Sequence, residues 1–212
     1  MHSCPLCKAA HADFYFEDKR RQYYQCNHCS LVFVPPDMRL NAREEKAMYD
    51  LHDNCPDDPG YRRFLSRMAA PMLERIAPAS DGLDFGCGPG PTLSLMLEDA
   101  GHTMALYDVY YYPEQKALER QYDFVTATEV IEHLYQPDMV WQQWLNLVKP
   151  GGWLGIMTKQ VRDAEAFAGW HYKNDITHVC FYSRATFQYL AERDKLQLEF
   201  IGNDVILLRK PQ

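Results

Sequence analysis

Two Cys-x-x-Cys pairs, Cys4 with Cys7 and Cys26 with Cys29, are separated by 18 residues. A pair at that spacing lets two thiolates reach one ion from a single tight turn, and two pairs complete a tetrahedron of sulfur, the donor set of a structural zinc ribbon. A redox dithiol would occur once and in a thioredoxin-like setting, which residues 1 to 35 are too few to build. His11 and His28 are nearby imidazoles, but four thiolates already fill the shell. The stretches "FYFEDKRRQYYQC" and "LVFVP" alternate as short strands do. So small a ribbon would draw its folding energy from the metal.

The second place where chemistry is written is "LDFGCGPG", residues 83 to 90, a glycine loop after a short apolar run. A phosphate loop needs a Lys followed by Ser or Thr, and "GPGPTLS" has no lysine. A nicotinamide fingerprint needs a third glycine where Pro91 stands. A third reading includes Asp84, just before the glycines, and Asp108, which ends the next apolar run 24 residues on. That interval is close to the roughly 20 residues at which a carboxylate meets ribose hydroxyls in such folds.

With its acidic residue and glycines, this loop resembles the first motif of the class I S-adenosylmethionine-dependent methyltransferases. "YDFVTATEVIEHL" resembles the fourth-strand motif of that superfamily, and "LVKPGGWLGIMT" its proline-glycine turn into the fifth strand. The resemblance covers most of residues 60 to 212. It implies that Asp84 closes the first strand, that Gly86, Cys87 and Gly88 line the methionine part of the cofactor, and that Asp108 holds the ribose. It further implies that Thr128 and Glu129 lie under the methyl group. Tyr110, first of three tyrosines after Asp108, is placed to cover the adenine face, and a surface cluster from which one ring packs is the alternative. Cys87 is expected as a small loop residue rather than a nucleophile, since the sulfonium already makes the methyl electrophilic and no adjacent base suggests a thiolate.

The third cluster is Glu129, Glu132 and His133, whose spacing of three and four puts them on one side of a helix. Glu-x-x-Glu-His resembles the segment with which small-RNA 3′-end 2′-O-methyltransferases bind magnesium together with a later histidine, and His178 lies in a comparable order. By that resemblance Glu129, Glu132, His133 and His178 are candidates for a second divalent metal site. Quinone-biosynthesis O-methyltransferases and sugar-modifying relatives carry this kind of segment too, so it does not select RNA. Either His133 or His178 has the unperturbed pKa range of a general base. The bland alternative is that Glu129 fixes its loop and His133 packs on the sheet. "WHYKNDITHVCFYS" adds Trp170, His171, Tyr172, Asp175 and Thr177 around His178, with Trp170 and Phe181 expected in the core and His178 facing the site.

These residues need a scaffold, and the chain alternates strand with helix to supply one. Apolar residues Phe64, Leu65, Met68, Met72, Leu73 and Ile76 recur at helical steps. "GLDF", "TMALYD", "YDFVTATE" and "WLGIMT" read as strands, with helices at "PTLSLMLEDAG", "PDMVWQQWLNLVKPGG" and "SRATFQYLAERD". "LQLEFIG" and "DVILLRK" flank a tight turn. The expected fold is α/β, a Rossmann-like, mostly parallel sheet ending in an antiparallel hairpin, preceded by the ribbon. Residues 1–36 form the ribbon, 37–59 a linker with a short helix, and 60–212 the methyltransferase domain. Between Asp108 and Tyr122 the chain is short for a full strand and helix, so the third unit is expected to be trimmed. His52 and Cys55 read as solvated loop.

Net charge of −7 argues against an affinity built on neutralising many nucleic-acid phosphates. No run reaches the about 20 apolar residues of a membrane helix, and "MHSCPLCKAAH" lacks the apolar core of a signal peptide. Seven cysteines, an odd number, suit a reducing compartment, so the cytoplasm is expected. The favoured function is methyl transfer to a small-molecule hydroxyl or carbon, the four-cysteine module also resembling that of certain sugar C-methyltransferases. One alternative is an RNA modifier gripping its substrate through Lys19, Arg20 and Arg21 in "DKRRQYY". Another is a non-catalytic module that recruits a partner.

Overall fold

The computed structural model describes residues 2–51 and 55–212. The N-terminal segment folds as β1 (Ala12–Glu17), β2 (Gln22–Cys26) and β3 (Val32–Phe33), an antiparallel meander. α1 (Ala42–Tyr49) and α2 (Pro59–Leu73) follow. Then come β4 (Asp81–Phe85), α3 (Thr92–Asp99), β5 (Thr103–Tyr107) and β6 (Tyr122–Thr128). The chain continues with α4 (Pro137–Leu147), β7 (Val148–Met157), α5 (Ala164–Ala168), β8 (Cys180–Phe181) and α6 (Arg184–Asp194), and closes with β9 (Gln197–Ile201) and β10 (Val205–Arg209).

The main sheet runs β5-β4-β6-β7-β10-β9. Its first four strands are parallel and β10 is antiparallel to both neighbours. This is the expected α/β architecture with its terminal hairpin. Only a 3-10 turn at Gln115–Leu118 separates β5 from β6, so the third unit is trimmed as expected. The helix expected through "NLVKPGG" stops at Leu147, because Val148 already pairs with Tyr122 in the sheet. Pairing with β5 on one side and β6 on the other makes β4 the point where the strand order reverses, and ligands in such sheets bind outside the carboxyl end of that strand.

The small sheet does not stand apart. Its fourth strand is β8, 147 residues beyond Phe33, and Val32 pairs with Phe181 and Phe33 with Cys180. The buried Leu6, Tyr23, Leu31 and Val34 share one core with Trp141, Trp144, Phe181 and Phe187. A ribbon expected to depend on metal for its folding energy thus also buries apolar surface against the large domain.

The stretch expected as a linker contains α1, started by a capping box in which Asn41 accepts from Arg43 and Glu44 while Glu44 accepts from the Asn41 amide. Cys55 is exposed, whereas His52 lies outside the described residues. No helix among the described residues is long and apolar enough to cross a membrane.

Candidate functional site

At the carboxyl ends of β4, β5 and β6 opens a cavity of about 760 Å³. Asp84, Gly86, Cys87, Gly88, Asp108, Tyr110, Thr128, Glu129, His133 and His178, all named from the sequence, border it. Tyr61 and Phe64 of α2 and Glu45 and Tyr49 of α1 close its mouth.

The wall after β4 is fixed by local geometry. Gly86 and Gly88 adopt left-handed backbone conformations (φ +75° and +65°), and a Cβ on Gly86 would stand 2.4 Å from Val130. Asp108 accepts from the Gly88 amide at 3.1 Å and from the Tyr110 and Tyr111 amides at 2.8 and 3.1 Å. Its carboxylate therefore pins the glycine loop to the end of β5 while keeping about one lone pair, on Oδ2, for a ligand. Asp84 is 3% exposed and accepts from Thr126 at 2.9 Å and Ser94 at 3.1 Å. These bonds tie β4 to β6 and α3. Burial pushes the Asp84 carboxyl up to about 6, with the Thr126 and Ser94 bonds opposing and Asp108 adding to the rise. Burial, with the charges of Asp84 and Asp108, pushes the Cys87 thiol well up, which makes it no thiolate nucleophile. The Tyr110 hydroxyl donates to Glu45 at 2.9 Å, so α1 is latched over the cavity by the residue expected at the adenine face.

The opposite wall is built differently. Glu129 caps β6 with a left-handed backbone (φ +53°), a conformation that costs a non-glycine residue about 1 kcal/mol or more and clusters at functional sites. The following Ile131–His133 forms a 3-10 turn rather than an α-helix. Glu132 is fully buried behind the cavity wall. The Tyr172 hydroxyl lies within hydrogen-bond reach of both Glu132 and Glu129, the latter at 3.2 Å, and its one hydrogen serves one of them at a time. Burial raises both carboxyls, and the charge of Glu129 raises Glu132 further. Thr128 Oγ1, Glu129 Oε1 and Glu132 Oε2 are buried without a hydrogen-bond partner among the described residues.

Two imidazoles meet here, with ring centroids 4.7 Å apart. His133 Nδ1 faces the Thr177 carbonyl at 3.2 Å, and His178 Nδ1 faces the Tyr172 carbonyl at 2.7 Å. A carbonyl only accepts, so each Nδ1 carries the hydrogen and each Nε2 keeps its lone pair when the ring is neutral. Burial holds His178 down at about 4, against the pull of Asp175. Ligand atoms of Glu132, His133 and His178 lie within 4.8 Å of one another, and Glu129 is outside that group.

A second convergence lies in the ribbon. Cys4, Cys7, Cys26 and Cys29 bring their sulfurs within 4.8 Å of one another, with Cys4–Cys29 at 3.5 Å and Cys7–Cys26 at 3.4 Å. The two knuckles repeat one geometry. The residue after each second cysteine, Lys8 or Ser30, is left-handed (φ 61° and 59°) and donates to the carbonyl of the first cysteine. His28 instead packs edge-on against Tyr189.

Sequence reasoning missed Glu45 and Tyr49, whose signal was the capping box that starts α1, and it gave Tyr172 no role between the carboxylates. It also treated "DKRRQYY" as a free basic run, whereas Arg21 is 4% exposed and both Arg20 and Arg21 donate into the chain's own loop at 173–176.

Comparison with known proteins bears on this geometry. The family described as Methyltransferase domain matches residues 58–199. No curated protein matches the chain in sequence. Among solved structures, the 1,6-didemethyltoxoflavin-N1-methyltransferase of Burkholderia thailandensis, with 1,6-didemethyltoxoflavin and S-adenosylhomocysteine bound, superposes with a TM-score of 0.53 at 15% identity, covering 95% of this chain and 100% of that one. A chain from the Haloferax volcanii complex of the Trm112 methyltransferase activator with a methyltransferase gives 0.53 at 12% identity, covering 81% and 98%. An O-methyltransferase family protein from Burkholderia thailandensis gives 0.50 at 14% identity, covering 81% and 60%. At such identities the likeness is one of fold.

Proposed function

The chain belongs to the methyltransferase-domain family and is thus an S-adenosylmethionine-dependent methyltransferase, and on that premise we propose that its cavity presents the cofactor's methyl group to a small-molecule acceptor bound between His133, His178 and Tyr172. One observation carries the reading: a single cavity joins the glycine loop and Asp108 on one wall to the paired imidazoles on the other. Gly86, Cys87 and Gly88 would run along the methionine part, Asp108 would take the ribose hydroxyls, Tyr110 would cover the adenine, and Thr128 with Glu129 would lie beneath the methyl. The bound cofactor supplies an electrophilic methyl, so what the protein adds is chiefly orientation.

With a hydroxyl acceptor, whose oxygen would take the methyl as the cofactor's sulfur kept the bonding pair, the task of the chain's own residues is to accept the acceptor's proton. A group held near 4 is a weak base at neutral pH, so His178 is the poorer candidate and its Nε2 serves to orient the acceptor. His133 Nε2 is the base. Covered by α1, the aromatic, acid-rich cavity suits a planar or hydroxylated small molecule better than a polyanion.

Two metal readings belong to the same proposal. Zn²⁺ fits Cys4, Cys7, Cys26 and Cys29, because four sulfurs at about 2.3 Å from one ion are about 3.8 Å apart, close to the spacing found here. A divalent cation also fits Glu132, His133 and His178, whose Nδ1 atoms are anchored by carbonyls as in metal-ligating histidines, with Glu132 Oε2 left for it. There it would supply Lewis acidity toward an acceptor hydroxyl. It would also occupy the lone pair that makes His133 a base, so the two roles are exclusive and transfer measured with and without chelator separates them.

Calorimetry with S-adenosylhomocysteine, paired with labelled S-adenosylmethionine in deproteinised cell extract, tests the reading. Binding and a labelled small molecule are expected with the intact protein, and in Asp108→Ala binding should be roughly a hundredfold weaker and labelling should fall with it. Absence of any heat with S-adenosylhomocysteine would overturn it. Label that enters only an added RNA fraction would favour an RNA acceptor.

A further inference from the structure

Arg21 occupies the turn between β1 and β2 and is 4% exposed. A buried guanidinium is costly unless its donors are matched. Here they are matched by main-chain oxygen: Nη1 donates to the Ile176 carbonyl at 2.8 Å, and Nη2 to the carbonyls of Lys173 at 2.7 Å and Asp175 at 2.8 Å. Nε donates to the Tyr23 hydroxyl at 3.2 Å. Arg20 adds a bond to the Asn174 carbonyl at 2.9 Å, and Asp18, in the same turn, faces the Lys173 ammonium at 3.7 Å. Four consecutive carbonyls, 173 to 176, thus converge on two ribbon arginines.

The reason these carbonyls need capping is local. His171–Asn174 is a single 3-10 turn, and the carbonyls at the end of such a turn have no partner within it. The segment they belong to carries the acceptor wall. Tyr172 bridges Glu129 and Glu132, the His178 ring closes back on the Tyr172 carbonyl, and His133 leans on the Thr177 carbonyl. The Val179 amide donates to the Glu132 carbonyl at 2.8 Å. Apart from the His178 amide, which donates to the Asp175 carbonyl at 3.3 Å from within the segment, the donors found for the carbonyls of 173–176 among the described residues come from the ribbon.

We propose that Arg21 is a positioning residue for methyl transfer: by capping the carbonyls of Lys173, Asp175 and Ile176 it fixes segment 172–178, and through it Tyr172, His178 and His133, at the spacing the acceptor requires. The ribbon is thereby the acceptor-side half of the active site's support. The role in transfer rests on the proposed reading of that wall, but the fixing of the segment does not.

The test uses the full-length protein with Arg21→Ala and Arg21→Lys, and Lys19→Ala as the control at an exposed position of the same turn. The probes are S-adenosylhomocysteine for the cofactor wall, amide hydrogen exchange for the segment, and label transfer from S-adenosylmethionine into deproteinised extract for turnover. In Arg21→Ala, exchange across 172–179 should rise at least tenfold while β4 to β6 keep their protection. S-adenosylhomocysteine affinity should stay within twofold and transfer should fall at least tenfold. Ethylguanidinium, which refills the emptied site, should restore protection and transfer in Arg21→Ala, a rescue that general loss of stability would not show. Arg21→Lys, with one donor group where the fork made three carbonyl bonds, should fall between, and it stands in if the alanine variant does not fold. Lys19→Ala should match the parent within threefold. Unchanged exchange at 172–179, or exchange raised equally through the ribbon and the main sheet, would sink the proposal. So would loss of cofactor affinity in step with transfer. If the parent transfers no label at all, the reading of the acceptor wall fails, while exchange and rescue still decide whether Arg21 holds the segment.

Discussion

The two walls of the cavity differ in how completely they are satisfied before any ligand arrives. The glycine-loop wall comes from one stretch, residues 83 to 112, and the carboxylates of Asp84 and Asp108 both accept from fixed donors. The facing wall is gathered from the end of β6, the turn at Ile131–His133 and the segment 172–178. It holds a left-handed glutamate and three buried polar atoms with no partner among the described residues. Buried polar groups are nearly always hydrogen-bonded, so an unsatisfied cluster marks where something is still to bind or react. One wall's carboxylates are held by fixed donors, and the other wall keeps buried polar atoms with no partner among the described residues.

The harshest way to break this comparison is to remove the ribbon that supports the second wall. Zinc at Cys4, Cys7, Cys26 and Cys29, as proposed, would supply on the order of 10 kcal/mol, comparable with the whole stability of a domain. Cys26→Ser is therefore expected to lose zinc by mass measurement and to expose segment 172–179 to hydrogen exchange. The main sheet should persist longer in urea than the ribbon.

Asp108→Ala attacks the glycine-loop wall instead. Removing a carboxylate that pins the loop and is proposed to take the ribose should weaken S-adenosylhomocysteine by about 3 kcal/mol, roughly a hundredfold, in calorimetry. Exchange at 172–178 should not change, and if it does the walls are not independent.

Asp84 sharpens the contrast through pH. Its folded pKa, raised to about 6 from the ordinary 3.8, means that the folded state binds the proton more tightly than the unfolded one. The resulting stability is fully present below pH 4 and is lost as pH rises through about 6, a change of roughly 3 kcal/mol. Relative to Asp84→Asn, the parent should lose stability in denaturant titrations between pH 4 and pH 7. A constant difference over that range would remove Asp84 as the cause.

The smallest effect on stability is expected at Glu132. Burial and the charge of Glu129 favour its protonated form, so Glu132→Gln is close to isosteric and should shift stability by no more than about 1 kcal/mol. Label transfer into extract should nonetheless fall at least tenfold. A large stability loss with transfer intact would make the buried pair structural and nothing more.

Much of this was legible in the chain. Gly86, Gly88, Asp84 and Asp108 lie within one strand–loop–helix–strand unit, where local sequence sets local geometry, and all four border the cavity. The four cysteines also converge, since two turns at fixed spacing need only meet once. The helical grouping of Glu129, Glu132 and His133 was less faithful. A 3-10 turn formed there, Glu132 was buried behind the wall, and Glu129 was held apart by its left-handed backbone. Arg21 looked like part of a wet basic tip because its acceptors are carbonyls more than 150 residues away, and carbonyls carry no side-chain signature.

By itself the sequence determined most of the main sheet's strands and helices, the glycine loop after β4 and the two cysteine knuckles, because periodicity and short-range spacing act within a few residues. Only the tertiary structure decided that β8 completes the N-terminal sheet, that α1 closes the cavity, and that a ribbon arginine holds the segment bearing Tyr172 and His178. Those outcomes depend on backbone groups meeting across the fold, and every residue type offers the same amide and carbonyl.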